Sequence, residues 1–240
     1  MASHFSGEGH VPSAFSILEI LAAIYLDLPN RNSESLKEFD FILSKGHASL
    51  ALYAILEEIN VIPTSWIKQF CREGSDFGGH PDRLKVPGVL ASTGSLGHGL
   101  PLSVGRALGN RVKNVQKRIF CLIGDGELNE GSNWESFILM EQFNLNEITV
   151  ILDLNLSTDR AISVTNVRKK IEAFNFEVHE VDGHNIDEIA QVLETHSQFP
   201  RFIIANTVKG KGIPAIENNH AWHHKSPSLE QINEFLGHSN

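Results

Sequence analysis

Five short apolar runs alternate with longer stretches of helical period along this chain of 240 residues, and the alternation limits the fold more than any other feature. Each run is five or six residues long, and several are continuously apolar, as strands buried on both faces must be. The pattern is typical of an α/β fold with a parallel central sheet and helices on both faces. The expected strands are 39–43, 119–123, 148–152, 177–181 and 202–207.

Stretches with apolar residues at three-to-four spacing separate these strands and predict the helices. The expected helices are 13–26, 49–59, 64–73, 99–112, 132–143, 164–174, 186–195 and 228–236. Two connections, 74–99 and 209–227, are long and rich in glycine. Because long loops in a compact domain are usually functional, we expect both to contribute to a site. We interpret residues 1–240 as one domain.

Charge and cysteine content narrow the class of protein. With 20 Lys and Arg against 29 Asp and Glu, the net charge is −9, and no basic stripe predicts nucleic-acid binding. The apolar stretch 17–28 contains Glu19 and Asp27 and is shorter than the ~20 residues of a membrane span. We therefore expect no membrane association. Two cysteines cannot form a disulfide framework, so we expect the protein in a reducing cytoplasm.

The strongest chemical signal is the junction where strand 119–123 runs into Gly-Asp-Gly. Gly124 and Gly126 allow a ligand to approach the backbone closely, and Asp125 places a carboxylate between them. Asn155 follows the next strand, thirty residues after Asp125, which is the length of one strand–helix–strand crossover. The two oxygen ligands would therefore meet at neighbouring strand tips, as Mg²⁺ and a bound phosphate require. A Gly-Asp-Gly turn with no ligand is the plain alternative for the tripeptide alone.

The residues around this junction resemble one family. GDGELNEGSNWE, residues 124–135, resembles the diphosphate-binding motif of thiamine-diphosphate enzymes in its transketolase version, and other segments match transketolases in the same order. These are GHVPSA (9–14), SKGHASLALY (44–53), GGHPDRLKVPGVLASTGSLGHG (78–99), and TVKGKG with AWHH (207–224). The match covers roughly residues 7–227. It implies the thiamine-diphosphate-binding fold of the diphosphate domain, with thiamine diphosphate and Mg²⁺ as cofactors.

The resemblance also implies a role for each matching residue. The metal ligands would be Asp125, Asn155 and a backbone carbonyl of Leu156 or Ser157. The cofactor-binding residues would be Lys45, His47, Gly94, Leu96, Gly124, Asp125, Gly126, Asn155, Lys209 and His223. The substrate would contact Ser13 and three histidines, His10, His80 and His223. The imidazoles of these histidines suit proton transfer near neutral pH. Glu130 matches a carboxylate that helps couple paired active sites.

The family's complete enzymes carry further domains, including a pyrimidine-binding domain with an activating glutamate, and no counterpart of that domain occurs here. The resemblance therefore implies the N-terminal subunit of a split transketolase, inactive without a separate C-terminal subunit and assembled as a dimer of heterodimers. It would transfer a two-carbon ketol unit from a ketose, or ketose phosphate, to an aldose acceptor. The alternatives are a chain similar to deoxyxylulose-phosphate synthase or to the 2-oxoacid dehydrogenase α chain, or a non-catalytic cofactor-binding subunit.

Two substitutions depart from the family pattern. His98 stands where glutamine is usual, and His224 stands where a glycine follows the Trp-His pair. His224 also completes an HxxHH pattern with His220 and His223, which is an alternative site for a transition metal. This alternative is the weaker one, because no strand, helix or carboxylate is predicted to fix those rings.

Overall fold

The computed structural model describes residues 1–32 and 38–237, and the centre of the molecule is a five-stranded parallel sheet. Its strands are β1 Phe39–Leu43, β2 Arg118–Gly124, β3 Ile148–Leu154, β4 Glu177–Asp182 and β5 Arg201–Asn206. They lie in the order β1-β2-β3-β5-β4. All five predicted strands are confirmed, with ends that differ by at most two residues. The expected 1–240 domain also includes 33–37 and 238–240, which lie outside the described residues.

The helices follow the predicted order along the chain. They are α1 Ala2–Ser6, α2 Val11–Phe15, α3 Leu18–Ala22, α4 Leu28–Asn32, α5 Ser49–Glu58, α6 Trp66–Gln69, α7 Gly99–Val112, α8 Gly131–Gln142, α9 Val167–Glu172, α10 Ile186–Glu194 and α11 Leu229–Phe235. A π-helical turn, Ala23–Asp27, joins α3 to α4. Within the described ranges, none of these helices has the length and apolar character needed to cross a bilayer.

Alternate residues of the buried strands pack on opposite faces of the sheet. On one face, Phe120 and Leu122 of β2 join a core built with α3, α5 and α10. On the other face, Cys121 and Ile123 join a second core built with α7, α8 and α9. The period of two along each strand thus requires helices on both faces, and the predicted fold class is confirmed.

Two predicted helices are broken or cut short by buried side chains, and the 164–174 helix is shorter than predicted, as α9. The 13–26 helix is interrupted at Ser16 and Ile17, both fully buried, and this break brings the Ser16 hydroxyl within 2.6 Å of Asp153 Oδ1. The 64–73 helix is confined to α6, because Phe70 turns extended to enter the core and Cys71 adopts a positive φ of 51°. In both places, burying a side chain requires the backbone to leave the helical path that the apolar spacing predicts.

The C-terminal loop 209–227 is held against the start of the chain. Ile216 and Trp222 of the loop form a small apolar cluster with Val11 of α2. The Gly210 amide donates a 3.0 Å hydrogen bond to the carbonyl of Pro12. This packing brings the residues after Trp222 to the residues just before α2, which are more than two hundred positions away in sequence.

Candidate active site

The carboxyl ends of β2 and β3 form the floor of a cavity of about 390 Å³. Gly124 pairs with Asp153 in the register of these neighbouring strands. Asp125 and Asn155 therefore leave the sheet side by side, and both line the cavity. The predicted meeting of these two side chains at adjacent strand tips is confirmed.

The cavity gathers residues from separate segments of the chain. Its lining residues are His10, Ser13, Lys45, His47, His80, Gly94, Leu96, Gly124, Asp125, Gly126, Glu127, Asn155, Ser157, Thr158, Lys209 and His223. The residues to which the sequence assigned a role all belong to this set, except Glu130 and the alternative metal ligand Leu156. Both glycine-rich loops, 74–99 and 209–227, contribute to it, as expected.

Asp125 and Asn155 are oriented by backbone and side-chain hydrogen bonds. Asp125 accepts hydrogen bonds from the amides of Gly126 (2.8 Å) and Thr158 (3.3 Å), and its burial raises the pKa of the carboxyl. Asn155 donates from Nδ2 to Asp153 Oδ2 at 2.8 Å and accepts at Oδ1 from the amide of Ser157 at 3.1 Å. The amide is therefore oriented, with its oxygen directed away from Asp153.

Asp153 is the centre of a buried network that the sequence did not identify. Its carboxylate is fully buried and forms an ion pair with Lys45, which is only 2% exposed. It also accepts hydrogen bonds from the hydroxyls of Ser16 and Thr207. Lys45 lines the cavity as predicted. Its ammonium group is already paired with Asp153, so a ligand would meet this buried ion pair and not a free cation.

Glu127 fixes the loop that covers the cavity. One carboxylate oxygen accepts hydrogen bonds from Ser44 Oγ (2.6 Å) and the Gly97 amide (2.9 Å), and the other accepts from the Gly124 amide (2.9 Å). Burial raises the pKa of Glu127, and these hydrogen bonds oppose that shift. The β1 end, the β2 end and the covering loop are thus joined through one side chain.

Histidines form the opposite wall of the cavity. The rings of His10 and His47 lie 5.1 Å apart between centroids, and those of His10 and His223 lie 5.3 Å apart. Burial, reinforced by the neighbouring imidazoles, lowers the pKa of His10 to about 4. Burial and the charge of Lys45 lower the pKa of His47 to about 2, and burial also lowers that of His223. These rings are therefore neutral at pH 7.

The remaining predicted residues complete the rim. His80 is exposed, and a Cβ at Gly94 would lie 2.9 Å from its ring, so only glycine lets this loop pass over the histidine. Lys209 is partly buried, and its pKa is lowered by burial and by the charge of Lys45. Lys209 lies near the buried Lys45–Asp153 pair, and an anionic ligand in this cavity would stabilise the charged form of Lys209.

Glu130 lies apart from this cavity. It is exposed at the amino end of α8, where its Cβ approaches Gly97. Of the two possible third metal ligands, Ser157 lines the main cavity, whereas Leu156 is 54% exposed and lines an adjoining cavity of about 290 Å³.

The histidine pattern near the C-terminus is rearranged in space. His223 and His224 lie beside His10, with ring centroids of His10 and His224 only 4.0 Å apart. The three rings each offer a nitrogen within 4.8 Å of the others, and His220 is not a member of this group. His98, the other departure from the family pattern, is exposed at the start of α7 and does not line the cavity.

Two buried acids were missed although the sequence contained signals for both. Asp153 interrupts a strand that is buried on both faces, and a buried charge in such a run requires a partner. Glu127 follows the last glycine of β2 by three residues, the spacing at which a glutamate reaches back to an amide at a helix start. Their partners, Lys45 and Ser44, are distant in sequence and carry no matching signal.

Comparisons with known proteins agree with this geometry. A family model described as "Transketolase, thiamine diphosphate binding domain" matches residues 3–237. A protein of Actinobacillus succinogenes, named as one of the subunits of apulose-4-phosphate transketolase, is 38% identical over 234 residues, which cover 93% of this chain and 85% of that protein. The protein of the same name from Phocaeicola vulgatus is 33% identical over 238 residues, covering 94% and 84%.

Longer proteins match this chain over part of their length. Human transketolase is 34% identical over 233 residues, which cover 93% of this chain and 37% of that protein. The solved structure of transketolase from Leishmania mexicana superposes with a TM-score of 0.85 at 24% identity, covering 98% of this chain and 38% of the other. At that identity the superposition supports the fold alone.

Proposed function

Since this chain belongs to the transketolase family, whose thiamine diphosphate binding domain it matches over nearly its whole length, we propose that it is the N-terminal subunit of a two-chain transketolase. In this proposal it transfers a two-carbon ketol unit from a ketose or ketose phosphate to an aldose acceptor. The single observation that carries the proposal is the cavity in which Asp125 and Asn155 face a wall of neutral histidines.

The residues at the strand tips fit thiamine diphosphate with Mg²⁺. A carboxylate, an amide oxygen and a nearby backbone carbonyl are the hard oxygen donors that Mg²⁺ accepts together with phosphate oxygens. We propose that Asp125, Asn155 and Ser157 hold the ion. The diphosphate would lie along Gly124 and Gly126, with the charges of Lys45 and Lys209 behind it and His47 at its side. Gly94 and Leu96 of the covering loop would close over it.

Unpartnered polar atoms of this chain also face the cavity. Ser13 Oγ and His10 Nδ1 are buried and have no hydrogen-bond partner among the described residues. Because a buried polar group without a partner is costly, these two atoms suit a ligand that supplies the missing hydrogen bonds. We propose that Ser13, His10, His80 and His223 bind the hydroxyl groups of the sugar.

Thiamine diphosphate, when bound, supplies the electron sink for breaking the carbon–carbon bond. The contribution of this chain is position and proton transfer. His10 and His223, neutral at pH 7, can accept a proton from a sugar hydroxyl at a ring nitrogen and return it later. At pH 7 both rings are in the basic form, which is the form that accepts a proton.

A second subunit is part of the proposal. Two similar proteins are named as single subunits of a transketolase, and this chain spans about 37% of full-length human transketolase. We propose that a separate chain supplies the remaining domains and that two such pairs assemble into a heterotetramer. Leu102, Ile138 and Leu139 are exposed on the neighbouring helices α7 and α8, and we propose that this face is covered in the assembly.

Substrate and location are the finer parts of the proposal. Two relatives are named for apulose 4-phosphate, and we propose a sugar or sugar phosphate of this general kind as the donor. We also propose a cytoplasmic location, because Cys71 and Cys121 are both free thiols, as expected in a reducing compartment.

Cofactor binding tests the metal assignment. Thiamine diphosphate is titrated calorimetrically, with Mg²⁺ in excess, into this chain mixed with its partner subunit. Asp125→Ala removes a charged ligand, so we expect affinity to fall by at least the ~10–100-fold that loss of an outer ligand partner costs. Asp187→Ala is the matched control, because this carboxylate is exposed on α10, beyond the edge strand β4, and does not line the cavity. Equal binding by wild type and Asp125→Ala would reject the assignment.

Activity tests the two-chain architecture. Ketol transfer is assayed with this chain alone, with the partner alone and with the mixture. We expect activity only in the mixture, because this chain supplies the diphosphate side of the site. Full activity of this chain alone would contradict the proposal.

A further inference from the structure

The imidazole rings of His10, His223 and His224 form a cluster that the proposed reaction does not fully use. One nitrogen from each ring lies within 4.8 Å of the other two. His10 comes from the start of α2, whereas His223 and His224 come from the loop 209–227, and the apolar cluster around Trp222 holds the two segments together. His224 does not line the main cavity and has no role in the proposed sugar chemistry.

The ring nitrogens of this cluster are available to a ligand. Among the residues that the structure describes, no hydrogen bond engages the rings of His10, His223 or His224, and His10 Nδ1 is buried without a partner. Three rings that no hydrogen bond engages within the described residues therefore present nitrogens toward a shared space.

We propose that His10, His223 and His224 bind a divalent transition-metal ion of the Zn²⁺ class, and that this ion excludes the sugar from the cavity. Imidazole nitrogen suits Zn²⁺, Cu²⁺ and Ni²⁺, whereas Mg²⁺ prefers oxygen, so this site and the strand-tip site select different ions. Zn²⁺ commonly takes three protein ligands and one water, with Zn–N bonds of ~2.0–2.1 Å. The His223 and His224 rings are exposed and therefore free of core packing that would prevent them from turning toward a shared ion.

The position of the site determines its effect. His10 and His223 line the cavity and are the residues to which we assign sugar binding, so an ion held between them would compete with the substrate. Within the described part of the chain, no hydrogen-bond partner orients the three rings from behind, and the lack of such partners typically lowers metal affinity ~10–100-fold. The site is therefore reversible and inhibitory, and it has no part in folding. This inference rests on the proposed function only for its inhibitory effect.

Direct metal binding tests the site without any assay of the reaction. Zn²⁺ is titrated calorimetrically into the complex of this chain with its partner, free of a polyhistidine tag, in excess Mg²⁺. We expect one Zn²⁺ per copy of this chain, and Co²⁺ at the same site should give the visible absorption of an imidazole-bound ion. His224→Gly should weaken Zn²⁺ binding by at least ~10-fold, because one of three ligands is lost.

His220→Ala is the matched control. His220 lies on the same loop but is not in the cluster, so this variant should bind Zn²⁺ as the wild type does. His224→Gln, which preserves a polar side chain of similar size, should lose binding like His224→Gly, and circular dichroism verifies that both variants fold. The proposal is overturned if no Zn²⁺ binds in excess Mg²⁺, if His224→Gly binds as tightly as wild type, or if His220→Ala loses binding equally.

The inhibitory part has a separate readout. Zn²⁺ should raise the apparent KM for the sugar in the wild-type complex, and His224→Gly should show at least a ~10-fold higher inhibition constant. If Zn²⁺ binds through His224 but the complex carries out no ketol transfer, the metal site stands and the proposed function fails. If ketol transfer is found but Zn²⁺ binding is independent of His224, the proposed function stands and the metal site fails.

Discussion

The cavity has a strand-tip wall, at the carboxyl ends of β2 and β3, and a histidine wall, formed by His10, His47 and His223. The two walls are held in different ways. On the strand-tip wall, buried charges are paired: Asp153 with Lys45, and Glu127 with three hydrogen-bond donors. On the histidine wall, the rings of His10 and His223 contact each other and the ring of His224, which lies outside the cavity, and no hydrogen bond among the described residues holds these rings. The first wall is prearranged at the end of a rigid sheet, whereas the second is packed by loops and leaves its polar atoms for ligands.

This difference follows from what each wall is required to hold. A carboxylate buried beside a sheet is stable only with its charge compensated, so the network around Asp153 must be complete before any ligand binds. Imidazoles are neutral at pH 7 when desolvated and tolerate an unfilled hydrogen bond at much lower cost. A site that must orient metal ligands and also exchange protons can therefore combine a rigid strand-tip wall with a histidine wall that adjusts to its ligand.

The largest expected effect comes from removing the buried Lys45–Asp153 ion pair of the strand-tip wall. Lys45→Met leaves the fully buried Asp153 without its cation, and loss of one partner of a buried pair costs about 3–5 kcal/mol. The free energy of unfolding, measured by urea denaturation of this chain, should fall by that amount. Arg168→Met is the matched control, because its pair with Glu172 is almost half exposed and is worth about 0.3–0.5 kcal/mol. Similar losses for the two variants would show that the Asp153 pair is not exceptional.

A smaller effect on stability is expected at Gly97, where the covering loop approaches the start of α8. Gly97 has a φ of 80°, and a Cβ there would lie 2.5 Å from the Cβ of Glu130. Gly97→Ala should lower the free energy of unfolding by about 1–3 kcal/mol, the usual cost of a residue held in a strained conformation. Gly105→Ala is the control: Gly105 lies in α7 with open space around it, so alanine should stabilise the helix by about 0.5–1 kcal/mol. Thermal denaturation compares them, and equal changes would contradict the tight fit at Gly97.

The effect that is smallest at pH 7, and that grows as the pH falls, is a pH dependence that belongs to the histidine wall. His10 and His47 have pKa values of about 4 and about 2 in the folded chain, below their unfolded value of ~6.5. Below pH 6.5 the unfolded chain binds protons that the folded chain excludes, so the free energy of unfolding should fall from pH 6.5 toward pH 4. His10→Gln and His47→Gln should each flatten this decline and leave the values above pH 6.5 parallel to wild type.

Urea midpoints measured at intervals between pH 4 and pH 8 check this expectation. An unchanged slope in both variants would mean that the rings take up protons in the folded state, and that the wall is wetter than its packing indicates. Such a result would also remove the reason for treating His10 as a neutral proton acceptor at pH 7.

Much of the fold and of the strand-tip site was predictable from local pattern. The five strands follow from apolar runs, and the meeting of Asp125 and Asn155 follows from their spacing of one crossover. The broken first helix was not predictable, because Ser16 leaves the helical path to reach Asp153, which is 137 residues away. Likewise, Lys45 was expected to face a ligand, yet its nearest charge is a buried aspartate on another strand.

The order of residues is enough to show which chemical groups the chain carries and which strand tips are neighbours, because periodicity and crossover length act over short distances. Which histidines meet depends instead on contacts between distant segments. The HxxHH pattern groups His220 with His223 and His224, whereas the folded chain replaces His220 with His10 from the other terminus. The physical reason is the packing of Ile216 and Trp222 on Val11, a contact between distant segments that no local pattern encodes.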